Sequence, residues 1–285
     1  MPNPIGVTLE MIKFQHTVFA LPFAFLAAFT AARGVPPART IVWIIVAMIG
    51  ARSAAMAFNR LVDARIDSEN PRTSARALPA GLVSKSFVII FTIASIALFV
   101  VAAWQLNRLA LMLTPLALLV ILGYSFTKRF TSLAHLVLGL ALAIAPAGAW
   151  VAVRGTLNVA VLPLSLAVLL WTSGFDILYS MQDLEFDRSR GLYSIPSRVG
   201  GRKALITARF LHAGALGALV LFGGLNRFGA IYFAGLFPAA GLLIWQHSVV
   251  REDDLSRINA AFFNANGMLA ILLFACGACD ILVLA

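Results

Sequence analysis

The chain has 285 residues, 61% of them hydrophobic and only 12% charged, with a mean hydropathy of +0.91; soluble domains run at roughly 45–50% apolar and about 25% charged. That balance excludes a water-soluble globular protein and leaves a polytopic membrane protein. The net charge of +10 is spread between apolar runs rather than gathered in one patch, which argues against a nucleic-acid partner and for membrane topology and an anionic substrate.

Taken in chain order, the apolar runs predict an all-α protein with spans near 12–32, 40–62, 86–104, 108–125, 132–153, 158–180, 204–223, 228–249 and 259–284, nine in all. At about 20 residues per crossing these fill one domain, residues 1–285. The first run follows Glu10 and Lys13 and lacks a small-residue cleavage site, so it reads as a retained span and not a signal peptide. Turn and polar residues separate the runs, among them Gly34-Val35-Pro36-Pro37, Asn107-Arg108, Thr127-Lys128-Arg129 and Arg154-Gly155. Two loops, roughly 63–85 and 181–203, are much longer than the others.

Both long loops open with acids. Asn59, Asp63 and Asp67 are spaced four apart, so if helix persists they share one face. Asp176 near the end of the sixth run and Asp183, Glu185 and Asp187 beyond it repeat the theme, and with Glu69 the two segments hold seven of the twelve acids in the chain. Two carboxylates that close repel unless a cation lies between them, and an all-oxygen set suits Mg²⁺, which takes its other ligands from water and phosphate. Asp63 to Asp183 and Asp67 to Asp187 are each 120 residues apart, a hint of two similar half-bundles.

Spans of equal parity end on the same side of a membrane, so the two motifs face one surface. That side collects fourteen Lys and Arg residues at span ends and in loops against five opposite, which places the motifs and the N-terminus in the cytoplasm. Arginines among acids make sense when a polyanion joins the site: a diphosphate takes Mg²⁺ on one side and Arg72, Arg76 and Lys128 on the other. An apolar bundle interior suits a long lipid tail.

These residues resemble the UbiA superfamily of intramembrane prenyltransferases over nearly the whole chain. The resemblance rests on Asn59, Asp63 and Asp67 followed by Arg72, Arg76 and Pro79, on Tyr124 and Lys128, and on Asp176, Tyr179, Asp183 and Asp187. It implies nine transmembrane helices around a central cavity, Mg²⁺-dependent binding of a polyprenyl diphosphate, and prenylation of an aromatic acceptor. The family's first motif usually begins Asn-Asp, whereas Arg60 stands second here, so no ligand role passes to Arg60. Asn-Arg variants, and the stretch from Phe14 to Ala24, resemble the 4-hydroxybenzoate branch and relatives acting on hydroxynaphthoates in menaquinone synthesis.

The chemistry so implied has Mg²⁺ held by Asn59, Asp63, Asp67, Asp183 and Asp187, with Arg72, Arg76 and Lys128 on the diphosphate. Ionisation leaves an allylic cation that Tyr124 and Tyr179 stabilise through their ring faces. Arg52, seven residues before Asn59 and inside the second span, is functional by default as an intramembrane arginine and by resemblance holds the acceptor carboxylate. Asp176 orients Tyr179 or assists proton removal.

Other residues carry blander readings. Cys276 and Cys279 lie inside the last apolar run and read as small core thiols. His16, His135, His212 and His247 lack paired spacing and read as packing residues, and Asp280 has no evident partner. The rival class is a transporter of an ion or anionic solute, which predicts broken helices and acids at mid-membrane, whereas these motifs stand at span ends.

Overall fold

The computed structural model describes residues 4–12 and 17–284, and the regular structure among them is helical throughout. In chain order the helices are α1 (Pro4–Met11), α2 (Thr17–Ala32), α3 (Ala38–Glu69), α4 (Lys85–Leu106), α5 (Arg108–Thr127), α6 (Ala134–Arg154) and α7 (Leu162–Ser180). They continue with α8 (Leu184–Ser189), α9 (Ile195–Val199), α10 (Gly201–Leu225), α11 (Ala230–Val249), α12 (Ile258–Ala260) and α13 (Asn266–Leu284). A π-turn, Ala261–Ala265, joins α12 to α13.

Among the described residues, eight helical segments are long and apolar enough to cross a membrane. The ninth expected span is α2, apolar but only 16 residues long; its expected beginning, with His16, lies outside the described residues. One boundary is corrected. The first acidic motif does not open a loop, because α3 runs unbroken for 32 residues through Asp63 and Asp67 to Glu69. Nothing between Asn59 and Glu69 breaks a helix: the segment has neither Pro nor Gly.

Sequence neighbours are mostly spatial neighbours. α3 packs on α4, α4 on α5, α5 on α6, α6 on α7, α7 on α10, α10 on α11, α11 on α13, and α13 returns to α2. Short polar hinges set the reversals. Asn107 accepts the Ala110 N–H at 2.9 Å, starting α5, and donates to the Val151 carbonyl at 2.8 Å, pinning that corner to α6. Gly155 ends α6 at φ +68°, a left-handed conformation that a residue without Cβ adopts freely.

The buried core joins α2, α6, α7, α10, α11 and α13 through Phe19, Phe23, Leu26, Trp171, Phe175, Phe222, Tyr232 and Leu273. Trp171 donates to Asn266 at 3.0 Å, pairing the buried indole N–H within that core. Outward faces carry Trp104, Leu119, Phe210 and Phe237, exposed apolar side chains suited to lipid. Cys276 packs against Gly235 and Cys279 faces outward, so only the first is a core thiol. Asp280 is buried and accepts the N–H groups of Gly229, Ile231 and Tyr232 at 2.6, 3.1 and 3.2 Å, capping α11 from another helix.

Candidate active site

The last turns of α3 present Asn59, Asp63 and Asp67 at successive four-residue steps. Asn59 donates to Asp63 at 2.8 Å, and Arg129 approaches the other Asp63 oxygen at 3.3 Å. Arg76, on the loop after α3, reaches both Asp67 oxygens at 2.7 and 2.8 Å. Beyond α7 the chain tightens into a 3-10 turn, Met181–Asp183, before α8. There Asp183 takes a two-bond fork from Arg72 and a further bond from Asn70 Nδ2 at 2.9 Å. Asp187, fully buried, pairs with Lys128 Nζ at 2.8 Å.

Asn70 and Arg72 therefore bridge the two motifs, and Arg190 adds a second tie to Glu69 at 3.2 Å. Each of the four carboxylates rests against its own cation. Burial works against the Arg72 charge, but the bonds to Asp183 outweigh it and hold the guanidinium above its ordinary pKa. Among the described residues no three acid, His or Cys side chains converge as a ready metal site. The donor set is nonetheless all oxygen, the chemistry Mg²⁺ takes, and the cations now on the carboxylates are those a phosphate would attract.

Arg60 is buried at 5% exposure, donates to the Met11 carbonyl at 3.2 Å and stands 3.7 Å from Asp67. It ties α1 to the motif and is no ligand. Tyr179 lies under Arg72, whose Cζ is 5.3 Å from its ring centroid, and against Phe262 of the π-turn at 4.4 Å. Asp176 does not orient Tyr179. It bonds instead to His135 Nδ1 at 2.6 Å.

These groups line a polar chamber of about 280 Å³ that includes Arg52, Asn59, Asp63, Asp67, Arg72, Arg76, Tyr124, Lys128, Asp176, Tyr179, Asp183 and Asp187. A second chamber of about 320 Å³, almost wholly apolar, lies between α3, α4, α5 and α6. Its walls are low because small residues recur on one helix face: Ala47, Ala51 and Ala55 on α3, and Ala141, Ala145 and Ala152 on α6. Arg52, Tyr124, Leu138 and Leu142 border both chambers. The Arg52 Nε is buried there with no hydrogen-bond partner among the described residues.

Residues 20–271 match the model of the UbiA prenyltransferase family. The chain belongs to this family. It is 33% identical to a 4-hydroxybenzoate octaprenyltransferase of Tolumonas auensis, covering 96% of this chain and 92% of the relative. It is 34% identical to a protein of the same name from Vibrio cholerae, covering 93% and 90%. Among solved structures, a UbiA homolog from Aeropyrum pernix superposes with a TM-score of 0.85 at 34% identity, covering 94% of this chain and 98% of that one. A UbiA homolog from Archaeoglobus fulgidus, solved with DMAPP and Mg²⁺, superposes at 0.76 with 20% identity over 96% and 98%, a likeness of fold.

In this UbiA prenyltransferase the folded chain brings every residue of the expected set to one chamber, from Arg52 at its apolar end to Asp187 at its polar end. Two of its parts went unread in the sequence. His135, taken as packing, is bonded to a chamber acid, and Arg129 pairs with Asp63. The signal for His135 was positional: it starts the fifth expected span on the motif side, level with Asp176 near the end of the sixth. His212 and His247 also pair, at 2.9 Å, away from the chamber.

Proposed function

We propose that the chain transfers a polyprenyl group from polyprenyl diphosphate to the ring of an aromatic acid of the 4-hydroxybenzoate class, with Mg²⁺, as a step in quinone synthesis. The observation that carries this reading is the meeting of a cationic, oxygen-rich chamber with an apolar one at Arg52 and Tyr124. A lipid diphosphate has that division of chemistry in one molecule. The names of the relatives, and the Mg²⁺ with DMAPP or GPP in the Archaeoglobus structures, support it.

In this reading Asn59, Asp63, Asp67, Asp183 and Asp187 hold Mg²⁺, which supplies positive charge for the departing diphosphate. Arg72, Arg76 and Lys128 turn from their carboxylates to the phosphate oxygens, so anion binding releases the acids for metal. Developing negative charge on the leaving group then meets fixed cations in a site shielded from water. The ring faces of Tyr124 and Tyr179 border the allylic cation. Arg52, with an unused buried donor, takes the acceptor carboxylate and so aims the ring carbon beside the hydroxyl. The chamber faces the cytoplasm, and the protein resides in the plasma (inner) membrane.

The test is reconstitution in lipid nanodiscs with radiolabelled polyprenyl diphosphate and, separately, 4-hydroxybenzoate and a hydroxynaphthoate, with and without Mg²⁺. Mg²⁺-dependent prenylated 4-hydroxybenzoate is the expected product. Product from the naphthoate alone would reassign the acceptor, and no product from either would overturn the reading.

A further inference from the structure

One segment links the two ends of the chamber. Leu192 N–H donates to the Asp187 carbonyl at 2.9 Å and Tyr193 N–H to the Lys128 carbonyl at 2.8 Å. Ser194, fully buried, accepts the Ser197 N–H on its hydroxyl at 3.2 Å, which starts α9. Ile195 N–H, the first of α9, donates to His135 Nε2 at 3.2 Å. An N–H pointing at Nε2 requires a lone pair there, so the ring proton is on Nδ1. It is directed at Asp176 Oδ2, 2.6 Å away.

His135 is held as firmly as it holds. It is 3% exposed, and the Ser173 hydroxyl donates to its carbonyl at 3.1 Å. One turn on, Gly139 lets α6 and α7 close: a Cβ there would fall 2.4 Å from both the Leu169 carbonyl and Ser173 Oγ. Asp176 accepts one bond, at Oδ2, among the described residues, and lines the chamber beside Arg52 and Tyr124. Its Oδ1 is left for something else.

We propose that His135 is a positioning residue that fixes the Asp176 carboxylate, through the Nδ1–H bond, as the group that takes the proton lost from the acceptor ring. The inference rests on the aromatic prenyl-transfer reading above. The C1–O bond of the donor breaks and its electron pair leaves with diphosphate; a ring π pair forms the new C–C bond to C1. The ring C–H bond then breaks, its pair restores aromaticity, and the proton passes to Asp176 Oδ1 and on to water. Because Leu192 and Ile195 lie on one short stretch, the segment bonded to the Asp187 carbonyl on the diphosphate side also sets the tautomer of the histidine on the acceptor side.

Two substitutions separate the two bonds of the imidazole. His135→Asn places an amide N–H where Nδ1–H stood but does not reach Ile195; His135→Gln reaches Ile195 but not Asp176. Both are assayed in nanodiscs with saturating prenyl diphosphate, Mg²⁺ and either ordinary or ring-deuterated acceptor, with prenyl diphosphate binding as the check on folding. H135Q is expected to lose at least tenfold in kcat with KM for both substrates within about twofold, and to show a larger deuterium isotope effect than wild type. H135N is expected to keep a third or more of wild-type kcat with the wild-type isotope effect. Wild-type kcat in H135Q, a loss lying wholly in KM, or loss in H135N alone would overturn the proposal and leave His135 as a tie for the segment. If H135Q fails to bind donor, Asp176→Asn decides: it keeps an acceptor for Nδ1–H, and a kcat and isotope effect like wild type would overturn the proposal. Failure of wild type to prenylate any aromatic acid would overturn the functional reading instead.

Discussion

At the scale of single residues, the chamber is a set of matched charges. Asp183 sits in the fork of Arg72 and beside Asn70, so Asp183→Asn removes at once an oxygen of the proposed metal set and the partner that orients Arg72. The expected result is a kcat lowered at least ~100-fold, the range for a lost electrostatic contributor, with membrane insertion unchanged; wild-type turnover would dismiss the metal role. Arg52 differs, because its buried Nε has no partner among the described residues. Arg52→Ala is expected to raise KM for the aromatic acid about tenfold or more, the ~1.5–3 kcal/mol of a charged hydrogen bond, and to leave KM for the lipid near wild type. Steady-state kinetics with each substrate varied in turn decides between these outcomes. The acids were legible in the sequence because an apolar chain has few reasons to hold charge. Arg72, Arg76 and Lys128 were legible as cations of the site, but which acid each pairs with was not, and Arg129 was missed because it is 66 residues from Asp63 and nothing local announces the pair.

At the scale of elements, the spans were legible because hydropathy reports burial in lipid directly, and each expected run overlaps a long helix among the described residues. The end of α3 was misplaced for the same reason: hydropathy falls where the bilayer ends, and a helix does not have to end there. Asp280 shows the complementary blind spot. It caps α11 across 51 residues of sequence, satisfying N–H groups that would otherwise be orphaned in an apolar setting. Asp280→Ala is expected to cost about 2 kcal/mol, near the top of the range for losing a cap, and to lower the unfolding midpoint in detergent by several degrees without touching KM for either substrate. An unchanged midpoint would show that water or lipid headgroups replace the cap.

At the scale of the molecule, the two motifs share one mouth of the bundle, the mouth that the orientation proposed above sets in the cytoplasm. Ser74, exposed on the loop after α3, and Val35, exposed on the turn before it, mark opposite sides. In a background with Cys276 and Cys279 replaced by Ala, Ser74→Cys is expected to resist an impermeant thiol reagent in intact cells and Val35→Cys to react; the reverse pattern would invert the orientation. The 32 residues of α3 measure about 48 Å at ~1.5 Å per residue, while a hydrocarbon core is about 30 Å thick. Its last turns, with Asp63 and Asp67, thus stand at headgroup depth while Ala47 and Ala51 remain in the oily layer below. A long isoprenoid can react there without desorbing, a step that would cost about 4 kcal/mol for every five carbons at ~0.8 kcal/mol per methylene. Turnover should therefore follow the donor's mole fraction within the bilayer, and diluting a fixed amount of donor with inert phospholipid should slow the enzyme even though the concentration in the test tube never changes.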